Sequence, residues 1–174
     1  MNKKNQINIF IVDDNKVFSL ALKADIETAF PKMPIKIHSF VTGETCMQRF
    51  NQEKPQVVIL DYHLNSRYPD AADGIKVLDW IKRTNYKTEV IMLTSDDHID
   101  IAIKSFHHDA SDYVVKTETK FRKINYSLFN LFKTLEARSE ARTYKRLLIV
   151  LFLGIALLVG GVAAIQIFSP SLLK

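Results

Sequence analysis

Cysteine is almost absent from this chain of 174 residues, which carries only Cys46. One cysteine cannot form an internal disulfide, so nothing in the folded part indicates an oxidising compartment. The zinc-type spacing of cysteine and histidine is missing as well. The opening MNKKNQINIFIVDD reaches charged residues after a short apolar stretch, which does not fit a secretory signal peptide.

The whole chain has a net charge of +5, but the first two thirds of it have no excess of basic residues. Residues 1–116 hold 15 Lys and Arg against 16 Asp and Glu, a net charge of −1, and residues 117–174 hold 9 against 3, a net charge of +6. Nucleic-acid binding would need a recognition module in this basic tail. The tail carries a hydrophobic segment instead, so we expect no nucleic-acid partner.

Charged residues are also missing from LLIVLFLGIALLVGGVAAI, the 19 residues 147–165, and QIF nearly extends this run to residue 168. A helix needs about 20 apolar residues to cross the hydrocarbon core of a bilayer, and this segment lacks the polar face of a soluble helix. We predict a transmembrane helix over residues 147–168. Basic residues precede it and only Lys174 follows, so we expect the N-terminal part in the cytoplasm and residues 169–174 across the membrane.

Upstream of this segment, short runs rich in Ile and Val alternate with helix-like stretches. The predicted strands cover residues 7–12, 35–40, 57–60, 89–93 and 112–115. The predicted helices cover residues 16–30, 43–51, 74–84 and 97–109. This alternation predicts an α/β fold, a five-stranded parallel sheet that is doubly wound, with helices on both faces.

A fifth helix is predicted over residues 121–135, where apolar residues recur every three or four positions. No Pro or Gly interrupts residues 117–153, so this helix can continue through a basic juxtamembrane stretch, residues 133–146, into the hydrophobic segment. Inside that segment, Ala156, Gly160 and Ala164 recur at four-residue spacing. Small residues at this spacing let membrane helices approach closely, although Gly and Ala are also simply common there. A homodimer through the transmembrane and fifth helices is therefore a hypothesis.

Polar side chains stand at the carboxyl ends of four predicted strands, where functional groups of a parallel sheet collect. These residues are Asp13, Asp14, Asp61, Thr94 and Lys116. Any one of the aspartates alone is better explained as a helix cap or a solvated loop acid. Three carboxylates together repel each other unless a hard cation such as Mg²⁺ takes their oxygens. An ammonium group and a hydroxyl beside them suit a phosphoryl group.

The segments VDD, VVILDY, VIMLTS and DYVVK, in this order and spacing, resemble the receiver domain of two-component response regulators. None of these segments is specific alone, and the strand ends in order carry the resemblance. It implies the flavodoxin-like receiver form of the fold over residues 5–132 and a bacterial source, with the anchor in the inner membrane. The partner that it implies is a sensor histidine kinase or a phosphotransfer protein.

The resemblance also implies the roles of the acidic residues and the cofactor, Mg²⁺. Asp61 would take a phosphoryl group from a phosphohistidine. Asp14 and Asp61 would bind Mg²⁺ directly, and Asp13 would act mainly through water. The main-chain carbonyl of His63 would be a further ligand.

The remaining roles concern the phosphoryl group and the response to it. Lys116 would contact the phosphoryl oxygens, and Thr94 would move to form a hydrogen bond with them. Tyr113 stands where the switch aromatic of the family swings inward. The alternative for Tyr113 is ordinary packing within the strand.

The chain departs from the family pattern at three places. Lys116 is followed by Thr117, where the family usually has proline, often with a cis bond. The loop between Asp61 and Gly74 is several residues longer than usual. The glycine that commonly follows the fourth helix is replaced by Asp109 or Ala110. None of these changes removes a charged group from the site.

Three functions fit these observations. The first is a membrane-anchored receiver that is phosphorylated on Asp61 and signals through a protein contact or its anchored helix, without a DNA-binding output. The second is a pseudo-receiver, a membrane-tethered binding module that acts without phosphorylation. The third is a phosphatase with aspartyl-phosphate chemistry, and it ranks low because such enzymes need a second carboxylate where this chain has His63. We therefore expect no conventional enzyme activity.

Overall fold

The computed structural model describes residues 6–64, 70–95 and 98–168 of the chain. Within these ranges, the side chains of residues 139–140, 142–143, 158–159 and 161–168 lie outside the described part. The chain forms two compact units, Met1–Phe129 and Asn130–Lys174.

Strands and helices alternate through the first unit as the sequence pattern predicts. The strands are β1 (Ile7–Val12), β2 (Ile35–Phe40), β3 (Val57–Asp61), β4 (Glu89–Thr94) and β5 (Asp112–Val115). The helices are α1 (Lys16–Ala29), α2 (Gly43–Glu53), α3 (Gly74–Thr84), α4 (Ile99–His107) and α5 (Lys120–Phe168). The five predicted strands and the first three predicted helices are confirmed, with ends that differ by at most two residues. The fourth helix ends two residues before its predicted end, and its predicted start at Asp97 lies outside the described residues. The fifth helix begins one residue before its predicted start and runs past residue 135 to Phe168.

The five strands form one parallel sheet in the order β2-β1-β3-β4-β5. This is the predicted doubly wound, flavodoxin-like arrangement. The strand order reverses between β1 and β3, and the carboxyl ends on either side of such a reversal border a crevice. The aspartates that follow β1 and end β3 therefore meet at this point of the sheet.

The central strands are apolar throughout because helices cover both of their faces. All five residues of β3 are buried, and so are the last four of β1 and the last five of β4. One face packs in a cluster with α2 and α3, to which alternate strand residues such as Phe10, Val58 and Met92 contribute. Successive side chains of a strand point to opposite faces, so the buried Ile9, Ile59 and their equivalents face the other helix layer.

Helix α1 and the beginning of α5 contact each other on the face of the sheet opposite α2 and α3. Leu22 of α1 and Ile124 of α5 are fully buried. Asn125 donates a hydrogen bond of 2.7 Å from Nδ2 to Oδ2 of Asp25, and the rings of Phe18 and Phe121 lie 5.7 Å apart. The apolar stripe predicted for the fifth helix therefore enters the core at Ile124 and Leu128.

The described part of the second unit is the later part of α5, which presents many apolar side chains to solvent. Residues 147–157 are all exposed, including large aliphatic residues and Phe152. Among the described residues, no helix has an apolar run long enough to cross a bilayer. In the predicted span, the side chains of residues 158–159 and 161–168 lie outside the described part. Ala164, one of the three regularly spaced small residues, is among them.

Several helix ends follow local side-chain chemistry. Asn15, Thr42 and Asp73 cap α1, α2 and α3 by accepting a hydrogen bond from a backbone N–H in the first turn. Asp109 has φ of 64° in the turn after α4. Asp109, and not Ala110, therefore occupies a left-handed conformation, which favours glycine and which aspartate tolerates better than most residues.

Gly74 opens α3 against the backbone that follows the phosphoacceptor candidate Asp61. An added Cβ at Gly74 would lie 2.3 Å from the carbonyl oxygen of Asp61 and 2.7 Å from Cα of Tyr62. The Gly74 N–H donates a hydrogen bond of 3.0 Å to the carbonyl of Tyr62. The end of β3 and the start of α3 can approach this closely only because residue 74 has no side chain.

We predict that Gly74→Ala lowers the free energy of unfolding by about 1–3 kcal/mol, because the methyl group must displace backbone atoms. Urea unfolding followed by the fluorescence of Trp80, the single tryptophan, measures this change. Gly154→Ala is the control, since, apart from the neighbouring backbone of its own helix, no described atom lies within 4 Å of its added Cβ. Equal midpoints for the two variants would refute the steric argument.

Candidate functional site

Three carboxylates lie together at the carboxyl ends of β1 and β3. Asp13, Asp14 and Asp61 expose only 1%, 7% and 4% of their surface. Their candidate ligand oxygens all lie within 4.8 Å of one another. The structure therefore brings together the three acids that the sequence predicted to meet.

Lys116, which follows β5, supplies a positive charge to this cluster. Its Nζ lies 2.7 Å from Oδ2 of Asp13 and 3.0 Å from Oδ2 of Asp61. The lysine is itself mostly buried, so both ion pairs are shielded from water, which strengthens them relative to surface pairs. One ammonium group nevertheless faces three carboxyl groups.

Backbone hydrogen bonds hold these residues in register. The Asp13 N–H donates to the Phe40 carbonyl across the end of the β1–β2 pair, at 3.0 Å. The Tyr62 N–H donates to the Leu93 carbonyl at 2.8 Å, which fixes the backbone directly after Asp61. The Lys116 N–H donates to the Thr94 carbonyl at 2.7 Å. The site is thus built on the sheet itself.

The electrostatic environment of Asp13 opposes ionisation of its carboxyl group. Burial raises the pKa of the Asp13 carboxyl above its usual 3.8, and the neighbouring charge of Asp61 adds to this, while the ion pair with Lys116 acts in the opposite direction. A raised pKa means that ionised Asp13 is less favourable in the folded chain than in the unfolded one. A further positive charge at this place would relieve that cost.

One buried oxygen of the cluster also needs a partner. Oδ1 of Asp61 has no hydrogen-bond partner among the described residues. Mg²⁺ prefers carboxylate oxygens and keeps several waters of its own. Three clustered carboxylates with such an oxygen fit Mg²⁺, and this acidic triad is typical of the Mg²⁺ site of receiver domains.

The other predicted residues lie near the same edge of the sheet. Thr94 is fully buried at the end of β4, opposite Val115 in the strand register. Tyr113 is half-buried in β5 and packs against the core cluster of α2 and α3. The ring of His63 lies edge-on to Tyr62 at 4.8 Å. The roles assigned to these three residues stay predictions.

The long loop after Asp61 is held by a hydrogen bond near its end, just before α3. The Ala72 N–H donates a hydrogen bond of 2.9 Å to Oε1 of Glu44, at the start of α2. Leu64, near the beginning of the loop, is fully buried. Residues 65–69 of this loop lie outside the described residues.

Sequence reasoning missed two residues beside the site. Asn15 donates its N–H to Oδ1 of Asp13 at 2.9 Å and accepts at Oδ1 from the N–H of Phe18 at 3.1 Å. An Asn just before an apolar helical stretch is a recognisable cap signal. The ring of Phe18 lies 4.8 Å from Nζ of Lys116, and no pattern in the sequence connects these two residues.

Comparison with known proteins agrees with this geometry. The response regulator receiver domain family matches residues 9–125, about two thirds of the chain. The chain therefore belongs to this family, whose members act in two-component signalling as phosphoryl acceptors rather than conventional enzymes.

Similar proteins include the regulatory protein AtoC of Escherichia coli, 31% identical over 108 residues, which are 62% of this chain and 22% of AtoC. A probable C4-dicarboxylate response regulator, DctR of Priestia megaterium, is 29% identical over 154 residues, 87% of this chain and 64% of DctR. The chain thus spans between about a fifth and two thirds of these relatives. The BeF3-activated receiver domain of DrrB from Thermotoga maritima has a TM-score of 0.60 and 27% identity, over 74% of this chain and 98% of that domain.

We predict that Mg²⁺ stabilises the folded chain because it binds the native acidic cluster. At tenfold excess over its Kd, a ligand of the native state adds about 1.4 kcal/mol to the free energy of unfolding. Urea unfolding with and without MgCl₂ at constant ionic strength measures this gain. Asp14→Asn should weaken the Mg²⁺ effect and stabilise the metal-free protein by removing a like charge.

The control for this measurement is Asp100→Asn, which removes an exposed carboxylate from the first turn of α4. The Mg²⁺ effect on that variant should equal the effect on the wild type. A gain that survives in Asp14→Asn would show that Mg²⁺ acts elsewhere on the chain.

Proposed function

We propose that this member of the receiver family accepts a phosphoryl group on Asp61 from the phosphohistidine of a histidine kinase or a phosphotransfer protein. The observation that carries the proposal is the position of the Asp61 carboxylate. Its Oδ2 pairs with Lys116, and its Oδ1 is buried and has no hydrogen-bond partner among the described residues. The acceptor carboxylate thus lies beside a lysine that can neutralise incoming phosphoryl oxygens, within a cluster that fits Mg²⁺.

The transfer itself needs little covalent help from the protein. A carboxylate oxygen of Asp61 attacks the phosphorus, a P–O bond forms, and the P–N bond to the donor histidine breaks, with its electron pair returning to the imidazole. Phosphoryl transfer depends chiefly on positioning and on neutralising the negative oxygens. Lys116 neutralises part of that charge and lies within ion-pair distance of the acceptor.

Mg²⁺, when bound, supplies further positive charge beside the transferred oxygens. Asp13, Asp14 and Asp61 would hold it, together with the backbone carbonyl of His63. The supporting observations are the mutual distance of the three carboxylates and the raised pKa of Asp13. The similarity to a receiver domain that is described as BeF3-activated is consistent with this assignment.

The response to phosphorylation is assigned to Thr94 and Tyr113. Thr94 ends the strand beside Asp61, since Leu93 is the register partner of Asp61. Tyr113 lies in β5 opposite Met92, two positions before the partner of Thr94. A shift of Thr94 toward a phosphoryl group would thus reach Tyr113 through adjacent strands, which is a two-state packing change biased by a local charge.

The same chain is proposed to be anchored in the bacterial inner membrane by residues 147–168, with the receiver on the cytoplasmic side. In support, residues 147–157 expose apolar side chains on all sides of their helix. An isolated helix with that surface is not stable in water and is typical of contact with lipid. Lys145 and Arg146 directly precede it, as expected for the cytoplasmic end of a span.

We predict that the full chain, purified in detergent, gains the mass of one phosphoryl group when incubated with acetyl phosphate and Mg²⁺. Asp61→Asn should abolish the gain because it removes the acceptor oxygen, and chelation of Mg²⁺ should do the same. Asp100→Asn should leave the gain unchanged. Intact-mass spectrometry and a phosphate-affinity gel measure the product.

The outcome separates the receiver from the pseudo-receiver. A folded chain that gains no mass, from acetyl phosphate or from a phosphorylated histidine donor, would contradict the proposal and leave a binding module that acts without phosphorylation.

We predict that truncation after Phe132 releases the protein from membranes and leaves phosphorylation of Asp61 intact. Ile155→Arg in the full chain should also impair membrane insertion, since an Arg near the centre of a span costs about 2.5–3.5 kcal/mol. Ile155→Leu is its matched control. Carbonate-resistant membrane association in fractionated cells is the measurement, and a full chain found in the soluble fraction would refute the anchor.

A further inference from the structure

Lys116 has a third neighbour besides its two carboxylate partners. The ring centroid of Phe18, in the first turn of α1, lies 4.8 Å from the lysine Nζ. A cation within about 6 Å of an aromatic ring face is attracted by the ring quadrupole. The ammonium group is therefore held by Asp13 and Asp61 on one side and by an aromatic ring on another.

Phe18 is itself fixed relative to the acidic cluster. Its N–H donates to Oδ1 of Asn15, and the N–H of Asn15 donates to Oδ1 of Asp13. The position of Phe18 on α1 is thus tied through two hydrogen bonds to a carboxylate that binds the same lysine. The Phe18 ring also contacts the ring of Phe121, at a centroid distance of 5.7 Å.

Phe121 lies in the first turn of α5, directly after the loop that carries Lys116. That loop runs through Thr117, where the family usually has proline. It is held by a Thr117 N–H bond of 2.8 Å to the Val115 carbonyl and a Lys120 N–H bond of 3.1 Å to the Thr117 carbonyl. Proline would restrict this backbone through its ring. Here the contact between Phe18 and Phe121 joins the far side of the loop to α1.

A lysine side chain has a flexible four-carbon stem and loses much conformational freedom when its ammonium group is held in one position. The two aspartates attract the ammonium group, but phosphorylation of Asp61 changes one of these partners. The Phe18 ring keeps its charge distribution in both states. It can therefore hold Nζ at the acceptor before and during the transfer.

We propose that Phe18 is a positioning residue for phosphoryl transfer, which holds the Lys116 ammonium group at Asp61 through its ring face. This inference rests on the proposed phosphorylation of Asp61. It assigns to α1 a part in the chemistry of the site that is separate from its part in the core.

The test compares phosphorylation rates of the full chain in detergent with acetyl phosphate at saturating Mg²⁺. Phe18→Leu keeps an apolar side chain and removes the ring, and we expect its rate constant to fall roughly three- to tenfold, the range of a partly buried cation–π contact. Phe18→Tyr restores a ring face and should keep most of the wild-type rate. Phe106→Leu, at an exposed phenylalanine of α4, is the matched control and should react like the wild type.

A second comparison separates positioning from packing. In a Lys116→Ala background, Phe18→Leu should cause no further loss, because the cation that the ring holds is gone. Circular dichroism verifies folding, and Phe18→Met replaces Phe18→Leu if the latter does not fold.

Three results would overturn the inference while leaving the proposed function intact. These are a wild-type rate in Phe18→Leu, a loss in Phe18→Tyr as large as in Phe18→Leu, and an equal loss in the Lys116→Ala background. Failure of the wild type itself to react would instead refute the phosphorylation on which the inference rests.

Discussion

Burial of three carboxylates beside a single ammonium group is the constraint on which the receiver unit depends. Asp13, Asp14 and Asp61 lie almost entirely out of water, and Lys116 pairs with two of them. At an effective dielectric constant of 20, two like charges 4 Å apart repel by about 4 kcal/mol. Such a cluster persists only if its surroundings hold it in place. It also gains more than an ordinary surface cluster from a divalent cation, which explains how an unfavourable arrangement can serve as a binding site.

The surroundings are rigid because the acids stand on the backbone of a buried parallel sheet. All residues of β3 are buried, and the hydrogen bonds of Asp13, Tyr62 and Lys116 to neighbouring strands continue the sheet through the site. Gly74 lets α3 begin directly against the end of β3. The edge near Lys116 is held differently, since the loop without proline is backed by the contact between Phe18 and Phe121.

The second unit differs from the first in the exposure of its apolar side chains. The first unit removes its apolar side chains from water, whereas residues 147–157 of the second present theirs on every side of a helix. Unsupported apolar surface of this kind is unfavourable in water, and it is stabilised by contact with another apolar phase. The proposed anchor assigns that phase to the bilayer. It would place a phosphoryl acceptor at the membrane surface, and the proposed output, a protein contact or a change in the helix, would then take place there.

The sequence by itself determined the order of strands and helices, the parallel sheet and the grouping of Asp13, Asp61 and Lys116 at one edge. These features depend on local periodicity and on the polar residues that end each strand, both of which are visible in short windows. Only the tertiary structure decided the contacts of Phe18 and the choice of Asp109 for the left-handed turn. Lys116 and Phe18 are almost as far apart in the chain as Lys116 and Asp13, which are 103 positions apart. Contacts across such a separation have no local signal, because folding and not neighbouring residues brings the two side chains together.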